Sequence, residues 1–185
     1  MPDFINTTAT NKALDMLISC TEDFDKVVQD GLLAMACNTG HIFEKQIKEK
    51  SNLEFVSIIK EVSDFVVSQK YKSVGLLASS GTIKSGLYHN ELAKNGISVS
   101  TISSKQNEVD LIIKRVISCD LKGCEKELLN IIDIFVEQGE RAVILGCTEL
   151  PLVVSSHSKI KVISSLDILA SSLINKCYSN KENKI

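Results

Sequence analysis

Two short apolar runs, far apart in the chain, each end in a cysteine that is followed by a threonine-bearing turn. The first covers residues 32–37 and leads into Asn-Thr-Gly, and the second covers residues 142–147 and leads into Thr-Glu. A short apolar run bounded by turn residues indicates a buried strand, and a strand that leads into a helix is the repeating unit of an α/β fold. We therefore expect Cys37 and Cys147 to occupy equivalent positions in two halves of one fold, facing each other across a small-molecule pocket.

Strands and helices alternate along the rest of the chain. The pattern predicts further strands at 55–58, 72–79, 97–102 and 161–163, with helices between them and a first helix capped by Asn11. This alternation predicts an α/β fold with mostly parallel sheets flanked by helices. Because no long linker is present, we expect two lobes packed together, the first formed by residues 1–52 and 160–185 and the second by residues 53–159.

Composition excludes several classes of function. The 185 residues are 44% hydrophobic, as in a globular protein with a full core, and the net charge of −2 provides no basic surface for nucleic acid. Only 5% of the residues are aromatic, which argues against platforms for stacking bases. No apolar stretch reaches the roughly 20 residues that span a bilayer, and the N-terminus lacks the pattern of a signal peptide. We expect a cytoplasmic protein that binds neither nucleic acid nor a membrane.

The six cysteines do not have the spacing of a metal site. No CxxC occurs, and the three histidines do not cluster with cysteines at ligand spacing, so we expect no metal. Disulfides are rare in a reducing cytosol. Three cysteines that lie in helical patterns are predicted to be small buried residues, namely Cys20, Cys119 and Cys177. The strand-end cysteines, Cys37 and Cys147, remain as candidates for chemistry.

The ends of the two cysteine strands have the features of a ligand site. In open α/β sheets, ligands collect at the carboxyl ends of the strands. A helix start there favours anions, so the pKa of each thiol is expected below the usual ~8.5. Thr39 and Thr148 are placed to hydrogen-bond beside the sulfur atoms, and Asn38 to bind a carboxylate or carbonyl oxygen. The turn at 79–82 offers hydroxyls and backbone donors that suit a carboxylate.

Two opposed thiols are suited to one reaction that needs no cofactor, the inversion of a carbon that bears an acidic hydrogen. One thiolate removes the proton from one face, and the other thiol returns a proton to the opposite face. The alternative is that each cysteine is merely a small buried residue at the end of a strand. Two cysteines in matching settings, with a Ser-Gly-Thr turn between them in the sequence, favour the chemical interpretation.

These segments resemble the signatures of the aspartate/glutamate racemase family, most closely its aspartate racemase branch. Residues 36–41 and 146–149 are similar to its paired cysteine motifs, residues 76–83 to its central loop, and residues 1–3 to a further short motif. The resemblance implies PLP-independent racemisation of a small amino acid in a cleft between two pseudo-symmetric lobes, and commonly a homodimer. It implies that Cys37 and Cys147 alternate as acid and base, and that substrate is bound by Asn38, Thr39, Gly40, Ser80, Gly81, Thr82 and Thr148.

The chain departs from the family pattern in two ways. Members of the family normally begin with a strand and a Gly-Gly-Met turn that precede the first residue here, so the first lobe is expected to be incomplete. Phe4 and Ile117 stand where aspartate-specific members carry a cationic clamp for the side-chain carboxylate. Lys114, Arg115 or Lys122 are near enough in sequence to substitute.

Other functions are compatible with the same residues. One is a truncated, catalytically impaired remnant of the family whose fold persists. Another is a sister decarboxylase or cis–trans isomerase of small carboxylic acids; such enzymes tend to need one cysteine, so the retention of two favours racemisation. A redox role for a Cys37–Cys147 disulfide is a further alternative, which a reducing cytosol disfavours.

Overall fold

A computed structural model describes residues 8–182 of the chain, and the motif at residues 1–3 and Phe4 therefore lie outside the described residues. Within 8–182 there are six strands, β1 Leu32–Ala34, β2 Glu54–Val56, β3 Ser73–Leu77, β4 Ser98–Ser100, β5 Ala142–Leu145 and β6 Lys161–Ser164. The same range contains eight α-helices, α1 Thr8–Val27, α2 Glu44–Lys50, α3 Ile58–Ser68, α4 Ser80–Ser85, α5 Leu87–Ala93, α6 Gln106–Ile117, α7 Cys124–Glu137 and α8 Ser165–Glu182.

The strands form two parallel sheets. β1 pairs with β2, and a larger sheet has the order β4-β3-β5-β6. The chain between β1 and β2, between β3 and β4 and between β3 and β5 contains α-helices, whereas β5 and β6 are joined by residues 146–160, which contain a 3₁₀ turn at 150–152. The predicted α/β fold with parallel sheets flanked by helices is confirmed.

Helices cover both faces of the larger sheet, and β5 is buried along its whole length. Val143 and Leu145 belong to a core cluster that contains residues of α6 and α7, whereas Ala142 and Ile144 belong to a cluster that contains residues of α3, α5 and α8. The sequence of a strand with both faces covered is a continuous apolar run rather than an alternation of apolar and polar residues. This burial explains why the run before Cys147 was recognisable in the sequence.

The strand pairing differs from the predicted lobe boundaries. Residues 54–56, assigned to the second lobe, pair with β1 of the first lobe. Residues 161–164, assigned to the first lobe, pair with β5 in the larger sheet. Local patterns identify both segments as strands, but the neighbour of a strand is decided by long-range packing, on which a single sequence pattern carries no information.

Several predicted elements are corrected in detail. Within the described residues the first helix covers Thr8–Val27, so Asn11 lies inside it and does not cap it. The helix predicted after residue 80 divides at Gly86, whose φ of +68° is left-handed and ends α4 before α5 begins. The segments after Cys37 and Cys147 start as 3₁₀ turns at 39–43 and 150–152.

The helical cysteines predicted to be buried are exposed: Cys20, Cys119 and Cys177. α1 buries only Thr21 among its side chains, and Cys119 follows the end of α6 with a positive φ, so neither cysteine faces a core. None of the helices within residues 8–182 combines the length and the apolar character needed to cross a membrane.

Gly75, in the central strand β3, packs against the buried ring of Phe135, and a Cβ at this position would lie 2.6 Å from Phe135 Cδ1. We predict that Gly75→Ala lowers the free energy of unfolding by about 1–3 kcal/mol through overpacking. Phe135→Leu should lower the free energy of unfolding by less in the Gly75→Ala background than in the native chain, because the smaller side chain relieves the clash with the added Cβ. Urea unfolding of the two single variants and the double variant measures this coupling, and simple additivity would contradict it.

Candidate active site

Three turns that follow strands β1, β3 and β5 meet at one place. Direct contacts link the turn at 37–40 with the turn at 79–82, and Tyr88 links the turn at 37–40 with Gly146, which precedes Cys147. β3 and β5 are parallel neighbours in the larger sheet and present their carboxyl ends at the same edge, which is where ligand sites of α/β folds form. The turn after β1 comes from the other sheet and joins them through the side-chain contacts of Asn38 and Thr39. The structure thus brings together the three segments that the sequence singled out.

Three hydroxyls join the first turn to the second. Thr39 Oγ1 lies 2.7 Å from Thr82 Oγ1 and 2.9 Å from Ser79 Oγ, and these last two oxygens are 3.2 Å apart. Ser79 Oγ also accepts a hydrogen bond from the Thr82 backbone N–H at the start of α4. The side chains of Thr39 and Thr82 are therefore bound to each other rather than held free for a ligand.

Gly40 and Gly81 allow these turns to approach closely. A Cβ on Gly81 would lie 2.9 Å from Thr39 Cγ2, so any side chain at position 81 would separate the two turns. A Cβ on Gly40 would lie 2.7 Å from Met35 Sδ and 3.5 Å from Cys37 Sγ. The Cys37 thiol thus lies against the backbone of Gly40.

The backbone N–H and the hydroxyl of Ser80 both donate hydrogen bonds to the side chain of Asp110. The Ser80 backbone N–H donates to Asp110 Oδ1 over 2.9 Å, and the Ser80 hydroxyl donates to Asp110 Oδ2. Gln106 Nε2 donates to the same carboxylate over 3.2 Å and to the Ala78 carbonyl over 2.9 Å. The donors at the start of α4, which the sequence suggested for a ligand carboxylate, hold Asp110 instead.

The side chain of Asn38 is buried and bound at both ends of its amide. Tyr88 donates its hydroxyl to Asn38 Oδ1 over 2.5 Å, and Asn38 Nδ2 donates to Ser165 Oγ over 3.1 Å. All three residues are buried. Instead of presenting its amide to a ligand, Asn38 ties the turn after Cys37 to α5 and to the start of α8.

Tyr88 contacts the second cysteine turn as well. A Cβ on Gly146, the residue before Cys147, would lie 3.1 Å from Tyr88 Cε2, so the ring packs against the Gly146 backbone. Burial raises the pKa of Tyr88 far above its ordinary value, which keeps the hydroxyl neutral and able to donate. One buried side chain therefore connects the surroundings of both cysteines.

His41 is a structural residue of the first turn. Its Nδ1 lies 2.8 Å from the Cys37 carbonyl oxygen, and its Nε2 lies 3.1 Å from the Ile58 backbone nitrogen. The N–H of Ile58 must donate, so Nε2 accepts and Nδ1 carries the proton. Burial lowers the pKa of His41 and favours this neutral form. Because both ring nitrogens are engaged by the backbone, His41 is not free to act as a base.

Cys147 donates its thiol to a carboxylate. Its Sγ lies 2.9 Å from Glu149 Oε2, and the Thr148 hydroxyl donates to the same oxygen over 3.1 Å. Burial, followed by the hydrogen bond to Glu149 and its charge, raises the pKa of the Cys147 thiol to about 12. The expectation of a lowered pKa is wrong for Cys147, because burial disfavours the thiolate and a carboxylate stands beside the sulfur.

Cys37 differs from Cys147 in its surroundings. It is exposed, whereas Cys147 is half-buried, and both are free thiols. A negative charge on Cys37 is among the causes that raise the pKa of Cys147, so the two thiols lie within electrostatic reach of each other. The opposed-thiol arrangement predicted from the sequence is compatible with this proximity.

One candidate stand-in for a cationic clamp, Arg115, is bound to acidic residues of the protein. Arg115 donates to Glu127 over 2.9 Å and to Asp120 over 3.1 Å, so its guanidinium is committed to the connection between α6 and α7. Ile117 is 65% exposed at the end of α6, about 10 Å along the helix from Asp110 at 1.5 Å per residue. Arg115 is therefore not free to bind a ligand carboxylate.

Other features do not compete with the thiol site. Among residues 8–182, no three His, Cys, Asp or Glu side chains are grouped closely enough to hold a metal ion. A cavity of about 500 Å³ opens where α3 faces β6 and α8, with Glu61, Asp64 and Asp167 in its lining, but neither candidate thiol borders it. The candidate active site therefore stays with the three strand-end turns.

Sequence reasoning missed Tyr88, Ser165 and Asp110. Glu149 makes no capping hydrogen bond and contacts Cys147 and Thr148 instead. Its position two residues from a strand-end cysteine was the available signal. No local sequence signal identified Tyr88 or Ser165, because their roles depend on contacts between residues that are distant in sequence.

Comparison with known proteins gives a consistent family. The sequence model of the family described as Asp/Glu/Hydantoin racemase matches residues 2–173. A glutamate racemase from Persephonella marina is 29% identical over 153 residues, which are 82% of this chain and 58% of that protein. The chain thus spans less than two thirds of the length of this relative.

Two solved structures have a similar fold at 26% sequence identity. An aspartate racemase from Picrophilus torridus has a TM-score of 0.80, with 95% of this chain and 74% of that chain covered. An aspartate racemase homologue from Pyrococcus horikoshii has a TM-score of 0.76, with 93% and 77% covered. The likeness extends over almost the whole of the chain.

We predict that Tyr88→Phe lowers the free energy of unfolding by about 1–3 kcal/mol, because the buried Asn38 Oδ1 loses its donor while the ring packing is kept. Tyr71→Phe is the matched control, since Tyr71 packs half-buried against the same core cluster. Urea unfolding measures both variants. Equal effects of the two substitutions would show that the Tyr88–Asn38 hydrogen bond does not stabilise the fold.

We also predict that the protein becomes less stable as pH falls below 6.5, the ordinary pKa of histidine. Between that value and the lowered pKa of His41 in the folded state, the unfolded chain binds more protons, so acid favours unfolding. Stability measured by urea unfolding across this window should depend less on pH in His41→Gln. The control, His89→Gln, should retain the dependence, and an unchanged slope in His41→Gln would contradict the assignment.

Proposed function

The chain belongs to the Asp/Glu/hydantoin racemase family, and on this premise we propose that it racemises an amino acid by proton transfer between Cys37 and Cys147, without a cofactor. The observation that carries the proposal is that the turn after Cys37 and the residue before Cys147 both contact Tyr88. The names of relatives, aspartate and glutamate racemases among them, support the reaction class.

In the proposed reaction, one thiolate takes the α-proton from one face of the substrate. The S–H bond forms as the C–H bond breaks, and the electron pair is left on the α-carbon. The second thiol then gives its proton to the opposite face, which inverts the carbon and leaves a thiolate. General acid–base catalysis of this kind requires both groups within hydrogen-bond reach of the α-carbon substituents.

Substrate binding is proposed to rely on backbone groups and on Thr148, whose hydroxyl can still accept a hydrogen bond while it donates to Glu149. The side chains of Asn38, Thr39, Ser80 and Thr82 are bound to other protein groups. The predicted binding roles of these four residues, and of Gly40 and Gly81, are therefore proposed to be exercised through the turn backbones that they shape. An α-amino acid offers a carboxylate and an amine for such contacts.

A sister decarboxylation or isomerisation, or a catalytically impaired remnant, is the alternative. The presence of two free thiols at one site supports racemisation over a reaction that uses one cysteine. Engagement of Asn38, Thr39 and Thr82 in a satisfied hydrogen-bond network supports a preserved site rather than a decayed one. A homodimeric state and a cytoplasmic location remain predictions from the sequence.

We predict that Cys37→Ala and Cys147→Ala each reduce racemisation by about 10²-fold or more, in line with the loss of a general acid or base. Chiral chromatography of incubations with single enantiomers, across acidic and neutral amino acids, measures the rate and identifies the substrate class. Cys119→Ala is the matched control, because that thiol is exposed away from the site and its loss should leave the rate unchanged. Full activity in either of the first two variants would exclude the two-thiol mechanism.

A further inference from the structure

The carboxylate of Glu149 distinguishes the two thiols. Glu149 Oε2 accepts hydrogen bonds from Cys147 Sγ and from the Thr148 hydroxyl, over 2.9 Å and 3.1 Å. Both contacts use Glu149 as an acceptor, as an ionised carboxylate does. The thiol of Cys147 must keep its proton to make the first of them.

No equivalent partner holds the other thiol. Within residues 8–182, Cys37 makes no side-chain hydrogen bond to a carboxylate, and its carbonyl oxygen is bound by the neutral imidazole of His41. The side chain is exposed, so water solvates a negative charge on its sulfur. Both cysteines thus follow a strand and precede a 3₁₀ turn, but within the described part of the chain only Cys147 has a carboxylate beside its sulfur.

The groups that act on Cys147 favour its neutral form. The titratable groups that interact with it are Glu149, Cys37 and Tyr88. Glu149 and a Cys37 thiolate carry negative charge, and Tyr88 is neutral and buried. A thiolate at position 147 would add a second negative charge beside Glu149 in a half-buried site, where water screens it poorly.

We propose that Glu149 is a positioning residue that holds Cys147 as a protonated thiol, so that the resting enzyme has Cys37 as the base and Cys147 as the acid. This inference rests on the proposed racemase function. The enantiomer whose α-hydrogen faces Cys37 can lose that hydrogen to Cys37 while Cys147 already holds the proton to be delivered. Its mirror image must wait for the less populated form, in which Cys37 holds the proton and Cys147 is ionised.

The proton balance of a turnover closes through solvent. Cys37 gains the α-proton and Cys147 loses its own, so the two thiols end with exchanged protonation states. Cys37 then releases a proton to water, and Cys147 takes one up and restores its hydrogen bond to Glu149. No oxidant, reductant or other co-reactant is involved.

The direct test is the pH dependence of thiol alkylation in Glu149→Gln. Gln is close in shape and still accepts a hydrogen bond, but it removes the charge beside the sulfur. Iodoacetamide labelling rates across pH 7–11, resolved by site with mass spectrometry, rise with pH toward the titration midpoint of each thiol, and for Cys147 this rise should lie at lower pH in the variant than in the native chain. At pH 8 we expect about tenfold faster labelling of Cys147 for each unit by which the midpoint moves.

Three controls accompany this measurement. Glu125→Gln makes the same change of charge at an exposed position in α7 and should leave the Cys147 midpoint unchanged. Glu149→Asp keeps the charge on a shorter side chain and should leave the midpoint nearer to the native value than Gln does. The exposed thiol of Cys119 is an internal reference for reagent reactivity in every sample.

The kinetic consequence is measured on the same proteins. Enantiomers have equal free energies in water, so kcat/KM must be equal for the two directions, but kcat and KM are free to differ in the same ratio. We expect unequal kcat values for the native enzyme and a ratio closer to one in Glu149→Gln.

Different results would overturn the proposed racemase function and the proposed role of Glu149. An unchanged Cys147 midpoint in Glu149→Gln would overturn the role of Glu149, whatever the racemase activity. A lowered midpoint in a chain that racemises no amino acid would support the role of Glu149 in holding the thiol and would overturn the proposed function. Equal kcat values in the two directions for the native enzyme would overturn the assignment of resting acid and base.

Discussion

The buried hydrogen bonds of the Asn38 amide hold the two cysteine turns in their relative positions. Tyr88 from α5 donates to one end and Ser165 at the start of α8 accepts from the other, so the turn after β1 is attached to the larger sheet through both elements. A buried polar network stabilises one arrangement when every member has a partner and is costly when one is missing. The same Tyr88 ring packs on Gly146, and the position of Cys147 therefore depends on the partner of Asn38.

Around the hydrogen bonds of Asn38, most polar side chains of the candidate site bind one another. Thr39, Ser79 and Thr82 share their hydroxyls, and Ser80 holds Asp110. Such contacts fix side chains before a substrate arrives, which is how a site is preorganised for proton transfer. They also separate the residues that shape the turns from the two thiols proposed to act on the substrate.

Much of the fold was predictable because each segment carries its own pattern. The buried strand β5 appears as an apolar run, and α7 appears as Leu128, Ile131, Ile132 and Phe135 on one face. Cys37 and Cys147 could be selected because strand ends in α/β folds collect ligands. The pairing of β2 with β1 and of β6 with β5 could not be predicted, since register between distant strands is decided by packing that no single segment encodes.

The chemical details of the site were less predictable than its location. The sequence places Glu149 near Cys147 but gives neither the burial of the thiol nor the direction of the carboxylate. Burial first, and then the hydrogen bond to Glu149, raise the pKa of Cys147 against expectation. Asn38 was predicted to bind substrate, yet its amide is bound by Tyr88 and Ser165. In both residues, a short polar side chain had several possible partners, and tertiary structure decided among them.

Deuterium labelling during racemisation in D₂O tests the central claim, that two thiols serve opposite faces of one carbon. A single enantiomer is converted only to a small extent, and NMR and chiral separation report the label in substrate and product. We predict that the product is deuterated while the remaining substrate is not, because the thiol that removes the proton is not the thiol that delivers one. Equal deuteration of substrate and product at early times would contradict a two-thiol site.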